Sequence, residues 1–152
     1  MKRTIFLSLP MKGREDEAIK NTIEGMIRII TAMYPNDELE FVENFSCILT
    51  DADIADCLKG VTKHQSLLYL GNAIKKMAKC DHIAVIDNRN CELYNYRGCY
   101  IEAEVARNYG LYFITVNDPD GSILLPDIKA KVEEERKACP KEAVRGCCEC
   151  IG

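Results

Sequence analysis

The sequence predicts a small doubly wound α/β domain, a flavodoxin- or Rossmann-like parallel sheet with helices on both faces. Short apolar runs at residues 4–9, 39–42, 82–86 and 111–116 have the length and composition of buried strands. Segments with apolar residues at helical spacing separate them. Strands that alternate with helices imply crossover connections, and these cover both faces of a parallel sheet.

Each element has its own signal. The first run stops at Pro10, which marks a loop after a buried strand. Ile19, Ile23, Met26, Ile27, Ile30 and Met33 then recur at helical spacing until Tyr34-Pro35-Asn36-Asp37 ends the pattern. Residues 39–42 form the second strand, and the connection over 47–63 is read as partly helical. Leu67, Leu70, Ile74 and Met77 mark another amphipathic helix, which hands over at Cys80-Asp81 to the strand at 82–86. A helix opened by Glu102 and stopped by Gly110 leads into the strand at 111–116. After the turn cluster Asn117-Asp118-Pro119-Asp120-Gly121, residues 128–137 form a polar last helix. Residues 1–137 are therefore one domain, and 138–152 a Cys-rich tail.

Composition bounds the function. At 152 residues, 47% hydrophobic and 29% charged, the chain fills one core. With 20 Lys and Arg against 24 Asp and Glu, the net charge of -4 gives no general attraction to a nucleic acid polymer, so small molecules or proteins are the expected partners. No apolar segment is long enough for a bilayer, so no membrane partner is expected. The apolar run after Met1-Lys2-Arg3 is too short for a signal peptide, and nine cysteines, an odd count, argue for reduced thiols and a cytoplasmic protein. Cys139, Cys147, Cys148 and Cys150 lack the paired knuckles of a structural zinc site, so neither metal nor cofactor is expected.

Ligands of such sheets bind beyond the carboxyl ends of the strands, which directs attention to the loops after Leu9, Ile86 and Val116. In the first loop Gly13 permits close backbone approach. Lys12 and Arg14 there either hold a phosphate beside the next helix start or are solvated loop charges. In the second loop Asp87 either binds a ribose hydroxyl or satisfies the loop's own backbone, and Tyr96 either stacks on a base or lies on the surface. The loop runs into Glu102, which a helix N-terminus keeps ionised, as a nucleophile or merely as a complement to the helix dipole. Glu102 and Ala106 share a helix face, whereas Glu104 points the other way. Cys99 lies in the same helix start, where its pKa could be depressed, but no paired histidine suggests thiol catalysis. His82 reads as a strand-start residue and His64 as surface.

Three segments together resemble the nucleoside 2-deoxyribosyltransferase-like superfamily, which includes deoxynucleoside 5′-monophosphate N-glycosidases and small phage and bacterial proteins. They are Ile5-Phe6-Leu7-Ser8-Leu9-Pro10 with Gly13-Arg14-Glu15-Asp16, then Ala78-Lys79-Cys80-Asp81-His82-Ile83-Ala84-Val85, and finally Gly98 to Glu102 with Ala106 and Gly110. The resemblance spans about residues 4–116. It implies the same doubly wound fold, a homo-oligomer, and Glu102 as nucleophile at the anomeric carbon of a nucleoside or nucleotide, with water or a second base resolving the glycosyl-enzyme. Arg14 and Arg97 would hold a 5′-phosphate, and Leu9, Pro10, Lys12, Gly13, Asn72, Asp87, Tyr96 and Gly98 complete the candidate substrate-binding set. The chain departs from the pattern twice. Ala73, beside Asn72, stands where the family commonly has an aspartate, and Tyr96 where monophosphate binders often have a serine. Two functions follow: an enzyme that cleaves or exchanges an N-glycosidic bond, or a nucleotide-binding sensor of the same fold without catalysis. A flavodoxin-like redox module is disfavoured because no Ser/Thr-rich phosphate loop follows the first strand.

Overall fold

The computed structural model describes residues 1–87 and 96–138. Its elements run β1 (Lys2–Leu7), α1 (Asp16–Met33), β2 (Glu38–Val42), α2 (Asp51–Leu58), α3 (Gln65–Met77), β3 (His82–Asp87), α4 (Arg97–Asn108), β4 (Tyr112–Asn117) and α5 (Pro126–Ala138). The strands form one four-stranded sheet in the order β2-β1-β3-β4. Every pairing is parallel. The chain leaves β1 toward β2 and leaves β3 toward β4, so the crossovers diverge between the two central strands. That divergence is the topological switch point, and the crevice above it lies beyond Leu7 and Asp87.

The period of two along each strand sorts side chains between two cores. Ile5, Leu7, Ala84, Ile114 and Val116 face one side with Ile19, Met26 and Ile30 of α1 and Ile128 and Val132 of α5. Phe6 and Ile83 face the other side, against Ala73 and Met77 of α3 and Ala106 of α4. Both faces of the sheet are therefore covered by helices, which is the doubly wound arrangement the alternation predicts.

The starts of β1 and α4 differ from expectation, whereas α2 meets the partly helical reading of 47–63. β1 begins at Lys2 because Arg3 is anchored: its Nε donates to Asp37 at 2.8 Å, its Nη1 lies 3.0 Å from His82 Nε2, and its guanidinium stacks on Tyr34 at 4.2 Å. Thr50 caps α2 within the 47–63 connection by accepting from the Asp53 N–H at 3.1 Å. α4 opens at Arg97, with Tyr96 as its extended N-cap, so Glu102 lies past the first turn and does not open the helix. Its end is as expected. Gly110 has φ +79°, and Leu111 N–H reaches back to Ala106 O at 3.0 Å, a glycine-terminated cap. No helix among the described residues is long and apolar enough to cross a membrane. The Cys-rich tail, with Cys139 to Cys150, lies outside the described residues, as does most of the loop after β3.

One close approach yields a testable consequence. A Cβ on Gly25 of α1 would stand 2.6 Å from Leu124 Cδ2, and Leu124 is buried. Gly25→Ala gains about 1 kcal/mol of helix propensity but overpacks the core at a cost of about 1–3 kcal/mol. We expect a net loss of about 1 kcal/mol in urea unfolding, and a change of sign when the same substitution is made in a Leu124→Ala background. A stabilising effect in the otherwise native chain would contradict the packing described.

Candidate active site

Ser8 is the first residue past β1, and its N–H donates to Ala84 O at 3.0 Å, carrying the β1–β3 pairing one step beyond the strand. Side-chain parity puts Ser8 on the same face as Phe6, the face on which α4 packs. Glu102 comes down from α4 to meet it. The Ser8 hydroxyl donates to Glu102 Oε1 at 3.1 Å, and the two residues are only 3% and 6% exposed. Ala106, one turn further along α4, sits in the apolar core beneath. Glu104 turns outward to pair with Arg107, as helical geometry requires.

Burial pushes the Glu102 carboxyl up to about 7, with the Ser8 hydrogen bond pulling weakly the other way. The expectation that the helix N-terminus keeps it ionised is therefore corrected. The dipole's influence falls off within the first turn, and Glu102 lies beyond it in a desolvated position. Near neutral pH both protonation states are populated. Cys99, one turn before Glu102, is likewise raised, to about 12, by burial and then by the Glu102 charge, against smaller opposing pulls from Ser8 and Arg14. It is a neutral thiol rather than an activated one, the reverse of a depressed pKa at a helix start.

Arg14 has a different place from the one its sequence context suggests. Its side chain is 2% exposed and forks onto Asp127 of α5, with Nε–Oδ2 at 2.9 Å and Nη2–Oδ1 at 3.0 Å. Nη1 donates to Pro10 O at 2.6 Å and Nη2 to Thr22 Oγ1 at 2.7 Å. Thr22 in turn donates to Leu124 O at 2.6 Å. The guanidinium is thus a staple joining the first loop, α1 and α5, and its donors are engaged by protein rather than turned toward a phosphate. Against the burial that would raise it, this pairing holds the Asp127 carboxyl below its ordinary value.

The remaining candidates divide. Leu9 and Pro10 are buried, whereas Lys12 and Gly13 are exposed in a turn closed by Arg14 N–H to Met11 O at 3.1 Å. Gly13 has φ +74° with nothing within 4 Å of a Cβ, so the turn's conformation, not a close approach, calls for glycine. Tyr96 is half-buried against the α1/α5 core rather than on the surface, and burial raises its hydroxyl pKa, with Arg14, Asp127 and Cys99 acting on it more weakly. Arg97 and Gly98 are exposed at the start of α4, and the space over Gly98 is open. Asp87 is the last residue of β3, in register with Asn117.

Asn72 is turned to other work, donating to Cys47 Sγ at 2.9 Å and tying α3 to the connection before α2. Ala73 packs into the apolar core with Phe6, Met77, Ile83 and Ala106, so no acid occupies that position. A groove between the starts of α1 and α5 is lined by Glu15, Glu17, Ile123 and Asp127 among others, but by neither Ser8 nor Glu102. Among the described residues no group of three His, Cys, Asp or Glu side chains is arranged to hold a metal.

Sequence reasoning missed Ser8 and Asp127. Ser8 had a signal, being a polar residue two positions after Phe6 in an otherwise apolar run. Asp127 had none, because it meets Arg14 across 113 residues of chain. Compared with protein-family models, curated proteins and solved structures, the chain matches none.

Proposed function

We propose that the chain cleaves or exchanges the N-glycosidic bond of a nucleoside or nucleoside 5′-monophosphate, with Glu102 as the nucleophile. The observation that carries this reading is the position of Glu102: a buried carboxylate, held by a serine, at the switch point of a parallel sheet. The resemblance of residues 98–110 to the nucleophile segment of the deoxyribosyltransferase-like superfamily supports it. In the first step a carboxylate oxygen bonds to the anomeric carbon, the bond to the base nitrogen breaks, and the base leaves with the electron pair and takes a proton from solvent. In the second step water, or the nitrogen of another base, attacks the same carbon, its proton passes to solvent, and Glu102 is released as the carboxylate. Tyr96 offers a ring beside the helix start for the base. With Arg14 engaged by Asp127, the exposed Lys12 and Arg97 are, among the described residues of these two loops, the cations left for a 5′-phosphate. Exposed apolar side chains around α2 and α3, among them Leu58, Val61 and Leu67, support the accompanying expectation of a homo-oligomer.

A second reading has its own observation. With Ala73 in the apolar core, no acid stands there to assist the leaving base, which favours a nucleotide-binding protein without catalysis. Incubation with a panel of ribo- and deoxynucleosides and their monophosphates separates the two. The enzyme reading expects free base, its loss in Glu102→Ala, and a rate that rises with pH through about 7 as Glu102 ionises. Binding of a panel member without release of base would leave the sensor reading standing. A rate that falls through the same range would make Glu102 an acid rather than a nucleophile.

A further inference from the structure

We propose that Ser8 is the positioning residue for Glu102, holding Oε1 so that Oε2 is the oxygen presented to the anomeric carbon. This rests on the glycosidic reading for its chemistry, although its geometry stands apart from any substrate. The Ser8 backbone is fixed to β3 through Ala84 O at 3.0 Å, and Ala106 fixes the same face of α4 against the sheet. The 3.1 Å contact between the two buried side chains thus joins two anchored elements rather than two mobile groups. Its direction is dictated by chemistry. An ionised carboxylate only accepts hydrogen bonds, so the single hydroxyl proton of Ser8 must point at Oε1 whenever Glu102 is charged.

A buried carboxylate without a donor is costly to ionise, so Ser8 favours the form that a nucleophile requires. The same bond serves both steps. As Oε2 bonds to the anomeric carbon and the base departs, Oε1 becomes the carbonyl oxygen of the glycosyl ester, still accepting from Ser8. As water attacks that carbon, Oε2 leaves with the electron pair, and charge returning to the carboxylate meets a donor already in place. Among the described residues the ionisable neighbours are few. The Cys99 thiol lies on the same helix face within hydrogen-bonding reach of Ser8, and as a neutral thiol it leaves the Ser8 proton to the Glu102 carboxylate. Arg14 is paired with Asp127 and brings no free positive charge.

The test compares wild type, Ser8→Ala, Ser8→Thr and Ser8→Cys in two independent measurements. In protein labelled with carboxyl-13C glutamate, the Glu102 resonance is identified by its loss in Glu102→Gln and then titrated. Ser8→Ala is expected to move its midpoint up by about one pH unit, with Thr restoring it and Cys, a weak donor, falling between. Base release is expected to fall about tenfold in kcat with KM little changed, and its pH limb to move with the carboxyl midpoint. Should Ser8→Ala fail to fold, the Cys and Thr variants carry the same comparison. A folded Ser8→Ala whose Glu102 titrates as in wild type overturns the proposal. If wild type releases no base, the glycosidic reading fails, while the titration still decides whether Ser8 governs Glu102.

Discussion

Arg14→Ala is expected to lower the free energy of unfolding by about 3 kcal/mol, the low end of what removing one partner from a buried ion pair costs. The Arg14 side chain is 2% exposed and Asp127 is 35% exposed, so water can return to the abandoned carboxylate and soften the loss. Pro10 O and Thr22 Oγ1 also lose donors, and burial makes those losses harder to repair. Arg14→Lys is expected to rescue little, because a point charge cannot reproduce the two-pronged contact with Asp127 while also reaching Thr22. Urea unfolding at neutral pH checks both variants. The outcome that would sink this account is unchanged stability together with weakened binding of nucleoside monophosphates, which would make Arg14 a ligand group and not a staple.

The second large effect has the opposite sign: Glu102→Gln is expected to stabilise the protein at alkaline pH. An unfolded glutamate titrates near 4.5 and folded Glu102 near 7, so between those values the native state keeps a proton that the unfolded chain has lost. Stability then falls as pH rises through that window, and the full penalty is present above about pH 7. The difference amounts to about 3 kcal/mol at pH 8 as an order of magnitude. The glutamine side chain would carry no charge, and its carbonyl can still accept from Ser8. Thermal melts at pH 4.5 and pH 8 should show the variant and wild type together at the first and well separated at the second. Stability curves that run parallel across the range would mean that Glu102 is solvated and carries no such cost. Such a cost is what a group retained for chemistry rather than for stability would impose.

The strands were legible because burial on both faces of a parallel sheet leaves near-continuous apolar runs, as in Ile5-Phe6-Leu7 and Ile83-Ala84-Val85. Helix α1 was legible from its long apolar stripe. The start of α4 was not, since Arg97-Gly98 offers neither a capping side chain nor good helix propensity, and Tyr96 caps without a side-chain hydrogen bond. That shift of one turn changed the electrostatics expected of Glu102. The basic first loop was legible as a loop, but the engagement of its Arg14 by Asp127 was not. A guanidinium advertises its charge in sequence, whereas its partner Asp127 looks like an ordinary acidic residue at a helix start. Ser8 could have been found by parity alone, because a residue two after Phe6 must face α4.

The two ties that finish the site bridge 94 residues, from Ser8 to Glu102, and 113 residues, from Arg14 to Asp127. Neither is local, so both wait for the crossovers that bring β3 and the last helix home. On the ribosome, a growing chain that has made β1 and α1 holds Ser8 without Glu102, and Arg14 with Pro10 and Thr22 but without Asp127. The site is therefore complete only after α4 and α5 have docked. Any activity at this site would accordingly report the completed fold, not the survival of a fragment.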